Sequence, residues 1–418
     1  MNAPDISHRQ QLDATQSSRL AHDLIHLALS SGLRPLKIKG KTLVPVVQGG
    51  MGVGVSAGGL AGAVAKLGGI GTLSSVDLRR LHPDLMAATE HAAKSTNARE
   101  IFDRANLEAL DREIHRARQL AQGQGLIAVN IMKALSAYEL YVKHALAAGV
   151  DALVVGAGLP LDLPELARDY PDTALIPILS DARGVQLLLR KWEKKGRLPD
   201  AIVIEHPRLA GGHLGAAKVA DLNDSRFDFD QVIGPVLQFF EESGYSKEIP
   251  LIAAGGISSL DDIQRLQCLG YAAVQLGTAF AVTRESDAAP AFKATLANAR
   301  PEDVVEFVSV AGLPARAVKT PWLEKYLRIE DKLKSVAHAK KKGCNLALDC
   351  LAHCGLRDGV SAMGQFCIDR QLAHALEGDT DKGLYFRGAG KLPFGDQIRS
   401  VEELLKCLLG GLRPAEPV

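Results

Sequence analysis

Pro250-Leu-Ile-Ala-Ala-Gly-Gly-Ile257 and Ala273-Val-Gln-Leu-Gly-Thr278 are two short apolar runs, and each of them ends in a glycine turn. Their length and near-continuous aliphatic content are typical of buried parallel strands. Glycine turns after such strands offer backbone N–H groups to a phosphate. A barrel of eight parallel strands holds its phosphate after strands seven and eight. The two runs therefore predict the last two strands of such a barrel.

Six earlier runs of the same kind bring the number of predicted strands to eight. The predicted strands are Val44–Gln48, Gly69–Leu73, Ile127–Ile131, Ala152–Gly156, Leu175–Leu179, Ala201–Glu205, Pro250–Ala254 and Ala273–Gly277. Amphipathic segments separate most of them, and two of these segments carry the pattern of a capping box, Ser136 with Glu139 and Ser259 with Asp262. Alternating strands and helices predict a parallel α/β sheet, and the number eight favours closure into a TIM (β/α)8 barrel.

The strand pattern divides the chain into three parts. Residues 1–35 are expected to form an N-terminal helical extension, and residues 36–300 the barrel. A helical excursion over residues 76–124 follows the second strand, and a second insertion over residues 211–229 follows the sixth. Beyond about residue 300 the strand pattern stops, so residues 301–418 are expected to form a C-terminal subdomain that contains a cysteine cluster.

Composition and charge exclude several classes of protein. The 418 residues are 47% hydrophobic and 23% charged, as expected for a globular protein with one large core. The net charge of +1 gives no field that would recruit nucleic acid or an anionic membrane. The polar start lacks the features of a secretion signal, and no apolar run reaches membrane-spanning length. We therefore expect a cytoplasmic protein whose partners are small molecules.

Four of the six cysteines lie close together in the C-terminal part. Five, three and twelve residues separate Cys344, Cys350, Cys354 and Cys367. Disulfide bonds are rare in a reducing compartment, so such a cluster suggests ligands, either of an iron–sulfur cluster or of structural zinc. The absence of a CxxC pair weakens this interpretation. Reduced cysteines in a small helical core are an equally good explanation.

A dinucleotide-binding fingerprint is the alternative interpretation of the first predicted strand. Gly52-Val-Gly-Val-Ser-Ala57 has the GxGxxA pattern between a strand and a helix, and Asp77 stands where a ribose-binding acid would. No second set of nucleotide-binding strands accompanies it. A first barrel loop whose backbone approaches a flat ligand explains the same glycines.

Seven segments along the predicted barrel occur in a characteristic order. They are Val44–Gly52, Gly68–Gly71, Val129–Met132, Gly156–Pro160, Ala210–Gly215, Ala253–Ile257 and Gln275–Thr278. Together they resemble the nitronate monooxygenase family, formerly the 2-nitropropane dioxygenases, which includes flavin-type enoyl-acyl carrier protein reductases. The resemblance runs from about residue 36 to residue 317. The resemblance implies an FMN-dependent barrel.

FMN fits the predicted ends of the barrel strands. Gly255, Gly256, Gly277 and Thr278 are expected to bind the phosphate. The other residues expected at the cofactor are Gln48, Gly49, Gly50, Met51, Asn130, Ser180 and Gly212. Tight turns that bind no ligand are the alternative explanation of the glycines.

His213 is the expected catalytic base, because the family has its base at the matching position of the Ala210–Gly215 segment. Glycines on both sides would let a small substrate lie between the imidazole and the flavin. Histidine is also the side chain most easily poised to take a C–H proton near neutral pH. His206 stands where relatives often have glycine and is expected to form part of the pocket wall.

The resemblance implies a nitronate monooxygenase that converts alkyl nitronates or nitroalkanes and O2 to a carbonyl compound and nitrite, with His213 as base. An NAD(P)H-dependent enoyl-thioester reductase with the same flavin site is the alternative. A flavin or iron–sulfur electron-transfer or partner protein is the alternative from another class. A homodimer is compatible with each of them. After Gly388-Ala389-Gly390 the chain departs from many relatives, so functions tied to that segment are not carried over.

Overall fold

The computed structural model describes residues 6–245, 249–338, 344, 348 and 350–412, with side chains from residue 15 onward. Eight parallel strands close into a barrel surrounded by helices, so the predicted TIM barrel is confirmed. An antiparallel hairpin, β1 (Leu36–Ile38) and β2 (Lys41–Leu43), precedes it. The barrel begins with β3 (Val46–Gln48), β4 (Ile70–Ser74), β5 (Leu126–Met132), β6 (Ala152–Gly156), β7 (Ala174–Leu179) and β8 (Ile202–Glu205); β9 (Gly212–His213) lies outside it, and β10 (Leu251–Ala254) and β11 (Ala273–Leu276) complete it.

The strands are aliphatic because the barrel buries both of their faces. Successive side chains along a strand point to opposite faces of the sheet. One apolar cluster accordingly contains Val47, Ala128 and Val203. A separate cluster contains their neighbours Val46, Val129 and Ile204. Leu36 and Leu43 of the hairpin join the first of these clusters. The hairpin therefore covers the amino end of the barrel and leaves the carboxyl end open.

The helices lie between the barrel strands and in the parts of the chain on either side of the barrel. They are α1 (Ile6–Ser30), α2 (Gly58–Lys66), α3 (Pro83–Thr89), α4 (Ala98–Ala121), α5 (Tyr138–Ala147), α6 (Leu163–Leu166), α7 (Ala182–Glu193), α8 (Phe229–Glu242), α9 (Leu260–Leu269), α10 (Thr278–Ala281), α11 (Pro290–Asn298), α12 (Pro321–Ser335), α13 (Gly355–Asp358), α14 (Ile368–Leu376) and α15 (Val401–Gly410). The excursion after β4 is helical, as predicted, and its α4 packs on α2.

One of the two predicted capping boxes forms. The Ser259 hydroxyl accepts the N–H of Asp262, and the Asp262 carboxylate accepts the N–H of Ser259, so the box at α9 is confirmed. The box predicted at Ser136 is wrong, because α5 begins only at Tyr138, without a side-chain cap. The N–H of Ser136 instead donates to the carbonyl of Cys350, 3.2 Å away. A tertiary contact has replaced the local one.

The C-terminal part contains strands that the sequence pattern did not predict. An antiparallel sheet is formed by β12 (Val304–Val308), β13 (Pro314–Val318) and β14 (Tyr385–Phe386). The short β9 pairs with β13 on the same edge as β14. The expectation that strands end near residue 300 is therefore wrong. Charged Glu306 and Arg316 interrupt the apolar pattern, and they pair with each other. No helix in the described residues is long and apolar enough to cross a membrane.

Candidate active site

A pocket of about 300 Å³ lies at the carboxyl end of the barrel. Most of the predicted site residues line it. They are Gly49, Gly50, Met51, Asn130, Gly212, His213, Gly255, Gly256, Gly277 and Thr278. Gln48 and Ser180 do not line it. The structure thus brings together residues from five separate strand ends, because the carboxyl ends of parallel strands share one edge.

The turns after β10 and β11 form one side of this pocket. Gly255 and Gly256 have φ of +111° and +74°, a backbone conformation that residues with a Cβ rarely adopt. A Cβ at Gly256 would also lie 2.8 Å from Cδ1 of Leu209. On the neighbouring turn, the Thr278 hydroxyl oxygen accepts a hydrogen bond of 3.0 Å from the N–H of Gly388. Both turns can therefore present backbone close to an anionic group.

The end of β3 forms a second side of the pocket. Gln48 is fully buried, and its side-chain amide exchanges hydrogen bonds of 2.8 and 3.0 Å with the backbone of Thr72, so it joins β3 to β4 and does not face the pocket. Gly50 approaches β5 closely, since a Cβ there would lie 2.3 Å from Cβ of Asn130. The Asn130 Nδ2 donates to the carbonyl of Val154, 3.2 Å away. Its Oδ1 accepts no hydrogen bond from the described residues.

Gln275 is a polar pocket residue that sequence reasoning missed. It lies in β11 between apolar neighbours, it lines the pocket, and its buried Oε1 has no hydrogen-bond partner among the described residues. A buried amide without a partner costs free energy, which a bound ligand could recover. The polar residue inside an otherwise apolar strand was the available signal. Ser180, by contrast, lies under Gly215, where a Cβ would come within 1.7 Å of the Ser180 Oγ.

His213 lies in the wall of the pocket, and its environment favours the neutral imidazole. Neither ring nitrogen hydrogen-bonds to a described residue, and Nε2 is buried. The ring lies 5.6 Å from that of Phe386, centroid to centroid. Burial lowers the pKa of His213 to about 4, because the charged form loses its hydration. At neutral pH the imidazole is therefore unprotonated and able to accept a proton.

The C-terminal sheet holds the loop that carries His213. Ala315 and Arg316 of β13 pair with His213 and Gly212 of β9. The buried guanidinium of Arg316 donates to the carbonyls of Pro207, 3.0 Å away, and of Ala210. These bonds fix the path of the chain between β8 and β9. The position of the imidazole thus depends on residues about a hundred positions later in the chain.

Glu205, at the end of β8, is a second titratable residue in the pocket that sequence reasoning missed. Its carboxylate accepts no hydrogen bond from the described residues, and removal from water raises its pKa to about 7, with Arg316 opposing part of the rise. His206, the next residue, was expected to form part of the pocket wall, but it does not line the pocket. Its Nε2 lies 3.1 Å from Asp228, and burial lowers its pKa.

The C-terminal part also forms much of the pocket's outer wall, which the sequence did not indicate. The pocket residues from this part are Phe386 of β14, then Arg387, Gly388, Gly390, Lys391 and Leu392 after it, and Cys350, Leu351, Ile368, Asp369 and Leu372 from residues 350–372. The glycine pair flanked by Arg387 and Lys391 was the one visible signal in the sequence. Many apolar side chains in this wall give the pocket a hydrophobic side.

The four clustered cysteines find no support as metal ligands in the structure. Among the described residues, which include all four, no group of three or more His, Cys, Asp or Glu side chains is arranged to hold a metal ion. Burial raises the pKa of the Cys350 and Cys354 thiols, which favours the protonated form. An iron–sulfur cluster or zinc site therefore stays a prediction from spacing alone.

The closed barrel rules out the dinucleotide-binding alternative for the Gly52–Ala57 segment. The segment follows the first barrel strand, and Gly52 lines the pocket. Asp77 does not line the pocket. It is buried in ion pairs with Arg79 and Arg80.

Comparison with protein families matches residues 34–411 to the family described as nitronate monooxygenase. A probable nitronate monooxygenase of Staphylococcus saprophyticus is 28% identical over 132 residues, which are 32% of this chain and 36% of that protein, so the match spans about a third of the relative's length. FabK from Thermotoga maritima has a similar structure, with a TM-score of 0.58 and 23% identity over 87% of this chain and 91% of that one. Nitroalkane oxidase from Streptomyces ansochromogenes gives a TM-score of 0.56 and 21% identity over 88% and 94%. At these identities the two structures establish the shared fold.

Proposed function

Because the chain belongs to the nitronate monooxygenase family, we propose that it is an FMN-dependent oxidoreductase that converts alkyl nitronates or nitroalkanes and O2 to a carbonyl compound and nitrite. The observation that carries this proposal is a neutral, unpaired imidazole in the same pocket as two glycine turns fit for a phosphate.

The residues of the pocket fit FMN. The turns with positive φ at Gly255 and Gly256, together with the turn at Thr278, line the pocket and can offer backbone N–H groups to a phosphate. The strand end at Gly49–Met51 can approach the edge of a flat ring, since a Cβ at Gly50 would already meet Asn130. The unpaired Oε1 of Gln275 is a further acceptor for a ring or ribityl donor. When bound, FMN supplies the transfer of electrons from the nitronate to O2.

The protein's own part in the reaction is to bind, orient and deprotonate the substrate. His213 accepts the α-proton of a neutral nitroalkane, because burial keeps the imidazole unprotonated at neutral pH. A nitronate, which is already an anion, needs no such step. The apolar wall from the C-terminal part limits the access of water to the reacting atoms.

An enoyl-thioester reductase that uses NAD(P)H is the second candidate, and the apolar outer wall of the pocket favours it. The apolar residues that line the pocket include Met132, Leu135, Leu351 and Leu372. A small nitronate would leave much of the wall uncovered, whereas an acyl chain would bury it.

Anaerobic reduction of the purified protein tests the proposal. The absorption spectrum should show bound flavin, and addition of an alkyl nitronate without pyridine nucleotide should bleach it rapidly. Rapid bleaching by NADH or NADPH, with no response to nitronate, would support the reductase. A protein that has no flavin and binds none when FMN is added would contradict both.

A further inference from the structure

Arg387 is a buried cation in the pocket wall, and no acidic side chain of the described residues pairs with it. It directly follows β14 and is 6% exposed. Its Nε donates to the carbonyl of Leu296 at 3.0 Å, and its Nη1 to those of Gly388 and Gly390 at 2.8 and 3.5 Å. No described carboxylate lies within ion-pair distance of it. Its Nη2 makes no hydrogen bond to a described residue.

This arrangement is costly in the absence of an anion. A buried charge is destabilising unless it is paired, and three carbonyl dipoles only partly replace water. Burial accordingly lowers the pKa of Arg387. The buried Arg316 differs, because Glu306 neutralises it. Arg387 therefore has a donor and a positive charge available for a ligand that enters the pocket.

The segment that follows Arg387 lies against the turns expected to bind the phosphate. The N–H of Gly388 donates to the Thr278 hydroxyl oxygen at 3.0 Å, which joins this segment to the turn after β11. A Cβ at Gly390 would lie 3.1 Å from Cα of Gly256, so the segment also touches the turn after β10. Lys391 adds a second cation to the same wall. The segment 387–391 thus contacts both turns.

We propose that Arg387 is the counter-cation of a phosphate monoester held between the turns after β10 and β11, and that this group is the phosphate of the flavin. The inference rests on the proposed function. Guanidinium groups suit phosphate because their planar donors match its oxygens. The C-terminal part would then complete the cofactor site of the barrel, which the barrel residues alone leave without a cation.

Titration of the flavin-free protein with FMN and with riboflavin, which lacks the phosphate, tests this inference through the quenching of flavin fluorescence. Wild-type protein should prefer FMN. Arg387→Gln should weaken FMN binding by about 10- to 100-fold, the effect of one charge-assisted hydrogen bond, and leave riboflavin affinity within about 3-fold. Arg387→Lys, which keeps the charge, should retain part of the preference. Lys382→Gln, on an exposed side chain, should change neither affinity.

The outcomes separate this inference from the proposed function. An unchanged ratio of FMN to riboflavin affinity in Arg387→Gln would overturn the role of Arg387 and leave the flavin proposal standing. Binding of neither flavin by the wild type would overturn both. If Arg387→Gln does not fold, because the side chain also holds three carbonyls, the decision passes to Arg387→Lys. A lysine variant with a reduced preference for FMN over riboflavin and an unchanged affinity for riboflavin would support the inference; a lysine variant that binds FMN and riboflavin more weakly by the same factor would refute it.

Discussion

Glu205→Gln should stabilise the protein, and the gain should grow with pH. Removal from water raises the pKa of Glu205 from its ordinary value of 4.5 to about 7. The folded state therefore holds the proton more tightly than the unfolded state does. The stability that this carboxyl contributes is present below pH 4.5 and is lost as the pH rises from 4.5 through 7. Glutamine has nearly the same shape and stays neutral at every pH.

The expected magnitude follows from the two pKa values. Raising the pH from 5 to 8 should lower the free energy of unfolding of wild type by about 2–3 kcal/mol relative to that of Glu205→Gln. Each tenfold difference in proton affinity between the folded and unfolded states corresponds to about 1.4 kcal/mol. The assay is thermal unfolding of wild type and Glu205→Gln in the same flavin state at both pH values. The difference in Tm should be small at pH 5 and several degrees at pH 8. Glu324→Gln, an exposed change on α12, is the control and should shift Tm little at either pH.

A Tm difference between Glu205→Gln and wild type that is the same at pH 5 and pH 8 would refute this reasoning. It would mean that the carboxyl is solvated or paired in the folded protein. A gain in Tm that is largest at pH 5 would mean that the pKa of Glu205 is lowered and not raised. The attraction of a cation such as Arg316 would then outweigh the effect of burial on this carboxyl.

Three other changes test the site and the barrel. His213→Asn should retain flavin but lower nitroalkane turnover by orders of magnitude in steady-state assays, and unchanged turnover would remove this imidazole from the reaction. Thr278→Asp should reduce flavin retention on gel filtration through charge repulsion with the phosphate, whereas full retention would argue against a phosphate at this turn. Gly71→Ala should lower the free energy of unfolding by about 3 kcal/mol or more, because its Cβ would lie 1.8 Å from the carbonyl oxygen of Ala61. Its control is Gly234→Ala in α8, where nothing apart from the chain neighbours lies within 4 Å; the entropy gained by alanine and the clash of its Cβ with the following Pro235 oppose each other, so a change of no more than about 1 kcal/mol is expected in the same urea unfolding curves.

The sequence was informative wherever a structure depends on neighbouring residues. Continuous aliphatic runs specify buried parallel strands, and glycines after them specify turns with positive φ, so the barrel and the turns at Gly255 and Gly256 were predictable. The His213 loop was predictable for the same reason, since its glycines and its histidine are adjacent in the chain. One local signal was misleading: the capping pattern at Ser136 lost to a hydrogen bond with Cys350.

Sequence alone determined the eight-stranded barrel and the residues at its strand ends. The aliphatic runs that form buried strands and the glycines that form the turns after them are properties of short segments. Tertiary structure decided which of those residues face the pocket, as when Gln48 bonds to β4 and Ser180 lies under Gly215. It also decided that Glu205 is half-buried and Arg387 buried, each without a described partner of opposite charge in hydrogen-bond contact. Burial and pairing are set by segments far apart in the chain, whose approach no local pattern records.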